Sequence, residues 1–167
     1  MNLIVMGVSG CGKSTVGQKL AELLGAAFLE GDSFHPAENV ARMAAGIPLT
    51  DSDRAPWLEQ LSRRMAEHDQ SSPIVLACSA LKKSYRQLLA ANSDQVVFVY
   101  LQGDRNDIQQ RMAERLDHFM ALSLADSQFE TLEEPDSDEN VITVSINHSV
   151  EKIVDQVVQS LKTFQEY

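Results

Sequence analysis

The sequence predicts an α/β fold in which helices flank a five-stranded parallel sheet. Short apolar runs alternate five times with segments whose apolar residues recur at helical spacing. One run, residues 74–78, is apolar throughout, as in a central parallel strand that is covered on both faces. No low-complexity linker interrupts the alternation, so residues 1–167 are predicted to form a single domain.

The elements follow one another in a regular order. Strands are predicted at residues 3–6, 27–29, 74–78, 96–101 and 141–146. Helices are predicted from Lys13 to Leu24, from Pro36, from a cap at Asp53, from Leu81, across Ile108 to Arg115, and from Val150 to Leu161. Glycines at positions 7, 25, 31, 46 and 103 mark the turns between them.

The charge balance limits the classes of partner. Lys and Arg total 14 against 24 Asp and Glu, a formal net charge of −10, so nucleic acid is not expected as a partner. No apolar run approaches the ~20 residues of a membrane-spanning helix. The two cysteines lack metal-ligand spacing, which suits a reducing cytoplasm. The acidic run over residues 126–139 is expected to be a solvated surface segment.

A phosphate-binding motif follows the first predicted strand. Residues 7–14 fit G-x-x-x-x-G-K-[ST], with an apolar strand before them and an amphipathic helix after them. The expected nucleotide contacts are Gly7, Val8, Ser9, Gly10, Cys11, Gly12, Lys13, Ser14 and Thr15. Lys13 would bind the β- and γ-phosphates of ATP, and the Ser14 hydroxyl would bind Mg²⁺. The guanine-reading motif of GTPases and the signature motif of transporters are missing, and the sequence is short for a helicase, so a small-molecule or nucleotide kinase remains.

Polar residues after the second strand predict the acceptor side. Parallel strands open at their carboxyl ends toward the same crevice, so Asp32 is expected to take a proton from an acceptor hydroxyl or to hold Mg²⁺ through water. The alternative is a turn or helix cap before Pro36. His35 could contact the substrate, or it could serve as a cap or packing residue. Arg54 could bind a carboxylate or phosphate, or could lie on the surface of a capped helix.

Combined, these residues resemble the bacterial gluconokinases. The matching residues run in order through nearly the whole chain: the phosphate loop, Gly31-Asp32 with His35-Pro36, Asn39, Met43, Gly46, Pro48-Leu49, Asp53-Arg54, Pro56-Trp57-Leu58, residues 78–83 with Tyr85-Arg86, His118-Phe119, Gln128-Phe129-Glu130, Leu132-Glu133 and Pro135. The resemblance implies transfer of a phosphoryl group from ATP to the 6-hydroxyl of D-gluconate. It also implies a fold like that of shikimate and nucleoside monophosphate kinases, and often a homodimer.

The acceptor implied by the resemblance needs a cation and short polar groups. Arg54, Lys82 and Arg86 are the candidate cations, and Lys82 and Arg86 would share one helical face and could frame a single anion. Ser79 would point into the crevice from the end of the third strand. The alternatives are a pair of solvated surface cations and, for Ser79, a helix N-cap.

A lid over ATP is also implied, at residues 111–135. Arg111, Arg115 and His118 are spaced four and three apart and would lie on one side of a single helix. By resemblance, Arg111 would lie near adenine, Arg115 would reach the phosphates, and His118 would contact substrate; a solvated basic stripe is the alternative. Asp117 stands where the family usually has glycine.

The turn after the fifth strand completes the nucleotide site. Asn147 and His148 are expected to line the adenine pocket, with an ordinary loop and helix cap as the alternative. Two other functions stay open: a related kinase acting on shikimate or another sugar acid, and a regulatory module that binds ATP without an acceptor.

Overall fold

The five predicted strands form one parallel sheet in the order β2-β3-β1-β4-β5. The computed structural model describes residues 1–68, 72–114 and 118–165, without the side chains of residues 113, 118–124 and 165. The strands are β1 (Asn2–Met6), β2 (Ala27–Glu30), β3 (Ile74–Ala77), β4 (Val96–Gln102) and β5 (Val141–Ser145). The predicted α/β fold is confirmed.

Helices cover both faces of this sheet. They are α1 (Lys13–Leu24), α2 (Ala37–Ala44), α3 (Asp51–Glu67), α4 (Lys83–Ala90), α5 (Arg105–Ala113), α6 (His118–Thr131) and α7 (Val150–Gln165), with a 3₁₀ turn at Gly31–Phe34. Because successive strand residues point to opposite faces, Leu3 and Val5 enter one apolar core while Ile4 and Met6 enter the other. Within the described ranges, no helix combines the length and apolar content that crossing a bilayer requires.

The chain reverses direction across the sheet between β1 and β3. It runs from β1 to the edge strand β2, returns to β3 beside β1, and then crosses to β4 on the other side. Such a reversal opens a crevice at the carboxyl ends of the strands. Here the Gly7 amide donates to the Ser79 carbonyl at 3.2 Å and the Cys78 amide to the Val5 carbonyl at 3.1 Å. The loops after β1 and β3 are therefore joined at the crevice.

Two helix starts differ from the prediction. The N-cap of α3 is Thr50, which forms a capping box with Asp53, so Asp53 lies in the first turn and is not the cap. α4 begins at Lys83, and its N-cap residue Lys82 makes no side-chain cap bond. Ser79 is therefore not the N-cap of this helix. Glu133, distant in sequence, caps α4 by accepting from the Lys83 amide at 3.0 Å.

The expected single helix carrying Arg111, Arg115 and His118 is wrong. Arg111 lies near the end of α5, which ends at Ala113, and His118 begins α6. Arg115 and Asp117 lie outside the described residues. α5 ends in a stretch without Gly or Pro, the residues that usually mark the end of a helix in a sequence.

Most acidic residues of the acidic run are exposed, as expected for a surface segment, and several of its carboxylates are also paired. We call residues 133–139 the acidic strap because they run back across the start of α4. Its bonds join Glu133 to the Leu81 carbonyl and Lys83 amide, Glu134 to Tyr100 and Gln102, Asp136 and Asp138 to the Lys83 ammonium, and Glu139 to Arg86. The strap therefore holds the chain that follows β3.

Candidate active site

The phosphate loop has the backbone that its glycines predict. Gly7, Gly10 and Gly12 have φ angles of 147°, 86° and 97°, a region in which side chains are strained. Gly12 is the N-cap of α1, and the first turn of that helix contains no acidic residue. The Lys13 ammonium donates to the Val8 carbonyl at 3.1 Å. This geometry suits an anion, because the positive N-terminus of α1 lies at the end of the loop, beside the Lys13 ammonium.

Cys11 packs inside the loop. Its side chain is 1% exposed, and a Cβ placed on Gly7 would lie 2.7 Å from its sulfur. The thiol therefore fills the space beneath the loop. Reactive cysteines are at least partly exposed, so this residue is structural.

Oxygen atoms that could bind a metal ion lie near the start of α1. The Ser14 hydroxyl donates to the carboxylate of Glu30, the last residue of β2. Asp32 follows two residues later in the 3₁₀ turn, and its side chain is 71% exposed. Hydroxyl and carboxylate oxygens are the ligands that Mg²⁺ prefers. The expected pair of Ser14 and Asp32 thus has a third member, Glu30.

A cavity lies beside the phosphate loop, at the carboxyl ends of β2 and β3. Its volume, counted together with the open mouth, is about 580 Å³. Four predicted site residues line it: Asp32, His35, Arg54 and Ser79. The remaining lining side chains are Met43, Ile47, Pro48, Leu49, Trp57, Ala80, Leu81, Tyr85, Ser127 and Gln128. The cavity is therefore mixed in polarity, and among the described residues that line it Arg54 is the one cation.

Charged groups converge under this cavity, at Cys78. Burial is the main reason that the pKa of the Cys78 thiol is raised to about 12. The carboxylates of Asp32 and Glu30 add to the rise in pKa, while a hydrogen bond with the Ala80 backbone and the charge of Lys13 oppose it. The thiol thus stays neutral. The Gly7 amide bonds to the Ser79 carbonyl and Ser79 lines the cavity, so the phosphate loop and the cavity meet just after β3.

His35 is held in the cavity wall by stacking. Its ring lies 3.9 Å from the Trp57 ring at an interplanar angle of 19°, and its Nδ1 is 3.3 Å from the Asn39 amide nitrogen. Its Nε2 lies 3.9 Å from the Asp32 carboxylate. Burial lowers the pKa of His35, Asp32 opposes this, and Arg54 adds to it. The imidazole is therefore neutral at neutral pH and packs as well as lining the cavity.

Arg54 is held at the cavity by Tyr85. Its guanidinium donates to the Tyr85 hydroxyl at 2.9 Å and lies 5.4 Å from the centroid of that ring. The Tyr85 hydroxyl in turn donates to Asp51. Hydrogen bonds from Tyr85 and from Lys82 hold the pKa of Asp51 below its usual value. Lys82 pairs with Asp51 at 2.9 Å and does not line the cavity, so it supports the cavity from outside.

Arg86 does not face the acceptor, contrary to the prediction. Its side chain is 2% exposed, and its guanidinium donates to Glu139 at 2.6 and 3.2 Å and to the carbonyls of Ala80 and Leu81 at 2.8 and 3.2 Å. Burial by itself raises the pKa of Glu139, but the bonds from Arg86 and from the Asp136 amide outweigh it and leave that pKa lowered. Lys82 and Arg86 therefore bind two separate carboxylates and frame no common anion.

The Arg86 bonds hold an unusual backbone conformation. Ala80 has a φ of 48° and is the one residue other than glycine with positive φ in the described part of the chain. The left-handed conformation costs roughly 1 kcal/mol for a residue with a Cβ. Since Ser79 and Ala80 both line the cavity, this turn shapes the acceptor side.

The predicted adenine-side residues lie together. Arg111 donates to the Ile146 carbonyl at 2.7 Å, beside exposed Asn147 and His148. Ser149 caps α7 by accepting from the Lys152 amide at 3.2 Å. Thr15 is exposed in the first turn of α1. Arg115 lies outside the described residues, as does the side chain of His118.

Sequence reasoning missed Glu30, Tyr85 and Gln128 as site residues. Glu30 is the last residue of a strand that opens onto the crevice, a position that could have suggested it. The helical spacing of Tyr85 is typical of a core residue and does not reveal that its hydroxyl reaches Asp51. The Gln128 side chain accepts a hydrogen bond from the Ser9 amide at 2.6 Å, across 119 residues of sequence. No local pattern predicts such a contact.

Comparison with known proteins gives a consistent result. The family model described as shikimate kinase matches residues 9–162. The thermosensitive gluconokinase of Escherichia coli K12 is 43% identical over 96% of this chain and 87% of its own, and the thermoresistant gluconokinase of that organism is 42% identical over 95% and 92%. A crystal structure of a gluconokinase from Sinorhizobium meliloti 1021 superposes with a TM-score of 0.91 at 42% identity, covering 99% of this chain and 93% of that one.

The neutral imidazole of His35 predicts an acid-sensitive fold. Its pKa is lower folded than unfolded, so the unfolded chain takes up the proton first and stability falls as pH drops below the unfolded value of about 6.5. In His35→Gln, the fall in unfolding free energy between pH 7.5 and 5.5 should be smaller than in the wild type. Urea denaturation at each pH measures it, with exposed His148→Gln as the control. Equal falls in His35→Gln and the wild type would contradict the buried, neutral state.

Proposed function

Because the chain belongs to the gluconokinases of the shikimate kinase family, we propose that it transfers the γ-phosphoryl group of ATP to the 6-hydroxyl of D-gluconate, giving 6-phospho-D-gluconate. One observation supports this most strongly. A phosphate loop and a cavity lined by Arg54, Asp32 and Ser79 open at the same end of the sheet. Linear gluconate, with one carboxylate and several hydroxyls, suits one cation among short polar groups.

The residues on the phosphate side would act by neutralising charge and by positioning ATP. Lys13 would leave the Val8 carbonyl for the β- and γ-phosphate oxygens. Amides within residues 7–15 would bind the remaining oxygens, apart from the amides of Gly7, Ser9 and Cys11, which bond to Ser79, Gln128 and Val8. Ser14 and Glu30 would hold Mg²⁺, and Asp32 would reach it only through a water, so that its carboxylate stays free to act as a base. The ion would offset phosphate charge during transfer. Arg111, Asn147 and His148 would bind on the adenine side. By resemblance, Arg115 would stabilise the moving phosphoryl group and His118 would contact the acceptor.

The acceptor side supplies a base and orientation. We assign the Asp32 carboxylate as the group that takes the proton of the 6-hydroxyl while that oxygen forms a bond to the γ-phosphorus. The bond from the γ-phosphorus to the bridging oxygen breaks, and ADP leaves. Arg54 would bind the gluconate carboxylate, with Ser79 and the neutral His35 bonding hydroxyls along the chain. Such fixed placement is the main source of rate in phosphoryl transfer.

Several expectations and alternatives from the sequence stand apart from this proposal. The homodimer and the cytoplasmic location expected from the sequence stay predictions. A shikimate kinase activity is the runner-up, because the family model carries that description. A regulatory module that only binds ATP is disfavoured, since it has no use for a second cavity that carries Asp32, Arg54 and Ser79 near the phosphate loop.

The function is tested by ADP release with a panel of acceptors. We expect ADP release with D-gluconate to exceed that with shikimate and with other sugar acids by at least about a hundredfold in kcat/KM, because carboxylate and hydroxyl positions must match the cavity. Phosphorus NMR of the product should place the phosphate on the 6-hydroxyl. Faster turnover of shikimate, or ATP binding without turnover of any sugar acid, would overturn the proposal.

The role of Asp32 has its own test. Asp32→Asn keeps the size of the side chain but removes the base, so kcat with gluconate should fall by about 10²–10⁴. The dissociation constant of ATP should change much less, because the phosphate loop is intact. Exposed Asp94, next to β4 at the opposite end of the sheet, gives the control Asp94→Asn. A loss of less than tenfold in Asp32→Asn would remove Asp32 from this role.

A further inference from the structure

Gln128 lies between the two halves of the site. It sits near the end of α6, and its side chain is partly buried. It lines the acceptor cavity together with Asp32, Arg54 and Ser79. Its Oε1 accepts from the Ser9 amide of the phosphate loop at 2.6 Å. One side chain therefore reaches both the wall of the acceptor cavity and the loop that binds ATP.

The end of α6 that carries Gln128 is fixed from two directions. Toward the phosphate loop, Asp126 accepts from Gln109 of α5 at 3.0 Å, and the Arg105 guanidinium lies 5.3 Å from the Phe129 ring centroid. Toward β3, the Glu133 amide donates to the Leu81 carbonyl at 2.7 Å. Gln128 is therefore held at a set distance from both the loop and the cavity wall.

A carboxamide has two kinds of bonding atom. Its oxygen accepts, and its nitrogen carries two hydrogens that it can donate. In this structure the oxygen holds the Ser9 amide, while the same side chain lines a cavity suited to a polyol. A hydroxyl of the acceptor is a suitable partner for the amide nitrogen. A carboxylate of the same shape could hold Ser9 but could not donate to the acceptor.

We propose that Gln128 binds both halves of the reaction: its Oε1 fixes the Ser9 amide of the phosphate loop, and its Nε2 donates to a hydroxyl of the acceptor. The bridge sets the distance between the acceptor oxygen and the γ-phosphate. It also favours acceptors with a hydroxyl at that point. This inference rests on the acceptor cavity proposed above.

Two replacements of nearly equal shape separate the functions of the carboxamide. Gln128→Met removes both the acceptor and the donor. Gln128→Glu keeps an oxygen for the Ser9 amide and removes the donor. Gln109→Met is the matched control, because Gln109 holds α6 through Asp126 and does not line the cavity. The measurements are kcat, the KM of gluconate, the ATP dissociation constant without acceptor, and the melting temperature.

We expect kcat/KM for gluconate to fall about 10- to 100-fold in Gln128→Met and in Gln128→Glu, and less than threefold in Gln109→Met. The ATP dissociation constant of Gln128→Met should change less than threefold. Gluconate kinetics of Gln128→Met that match those of Gln109→Met would overturn the inference. So would full kcat/KM in Gln128→Glu, or a loss in Gln128→Met that falls entirely on ATP binding. A wild-type chain that phosphorylates no gluconate would overturn the proposed function and this inference with it.

Discussion

The buried guanidinium of Arg86 is the interaction on which the acceptor side of the molecule depends. It is bound by the two oxygens of Glu139 and by the carbonyls of Ala80 and Leu81. A buried charge is tolerated only when it is paired and its donors are satisfied, and both conditions hold here. The result is a rigid turn after β3, in which Ala80 keeps a left-handed conformation that it would not adopt alone.

The rest of the site is built outward from that turn. The Ser79 carbonyl accepts from the Gly7 amide, so the turn after β3 is tied to the first residue of the phosphate loop. On its other side, Glu133 bonds to Leu81 and caps α4, which brings the end of α6 and Gln128 against the crevice. The acidic strap therefore has a structural purpose. It supplies the carboxylates that fix the chain between the two substrate sites.

Local patterns in the sequence are enough to predict the sheet and the phosphate loop. Apolar runs identified the five strands, and strand ends placed Asp32 and Ser79 at the crevice, because parallel strands open at one edge. The role of Arg86 could not be found in this way, since its partner Glu139 is 53 residues away and helical spacing linked Arg86 to Lys82 instead. The end of α5 was missed because no Gly or Pro marks it. Glu133 as the cap of α4 depends on tertiary contact alone.

The most direct measurement is a double-mutant cycle between Arg86 and Glu139, with the unfolding free energy and the KM of gluconate as readouts. Glu139→Gln and Arg86→Met should each destabilise the fold by about 3–5 kcal/mol, because each leaves a buried charge or its carbonyl partners unpaired. Both should raise the KM, and the double variant should lose less than the sum. The contrary result would be a Glu139→Gln variant with normal stability and KM beside an Arg86→Met variant that loses gluconate binding alone. Arg86 would then serve the substrate, and the turn after β3 would be held by something else.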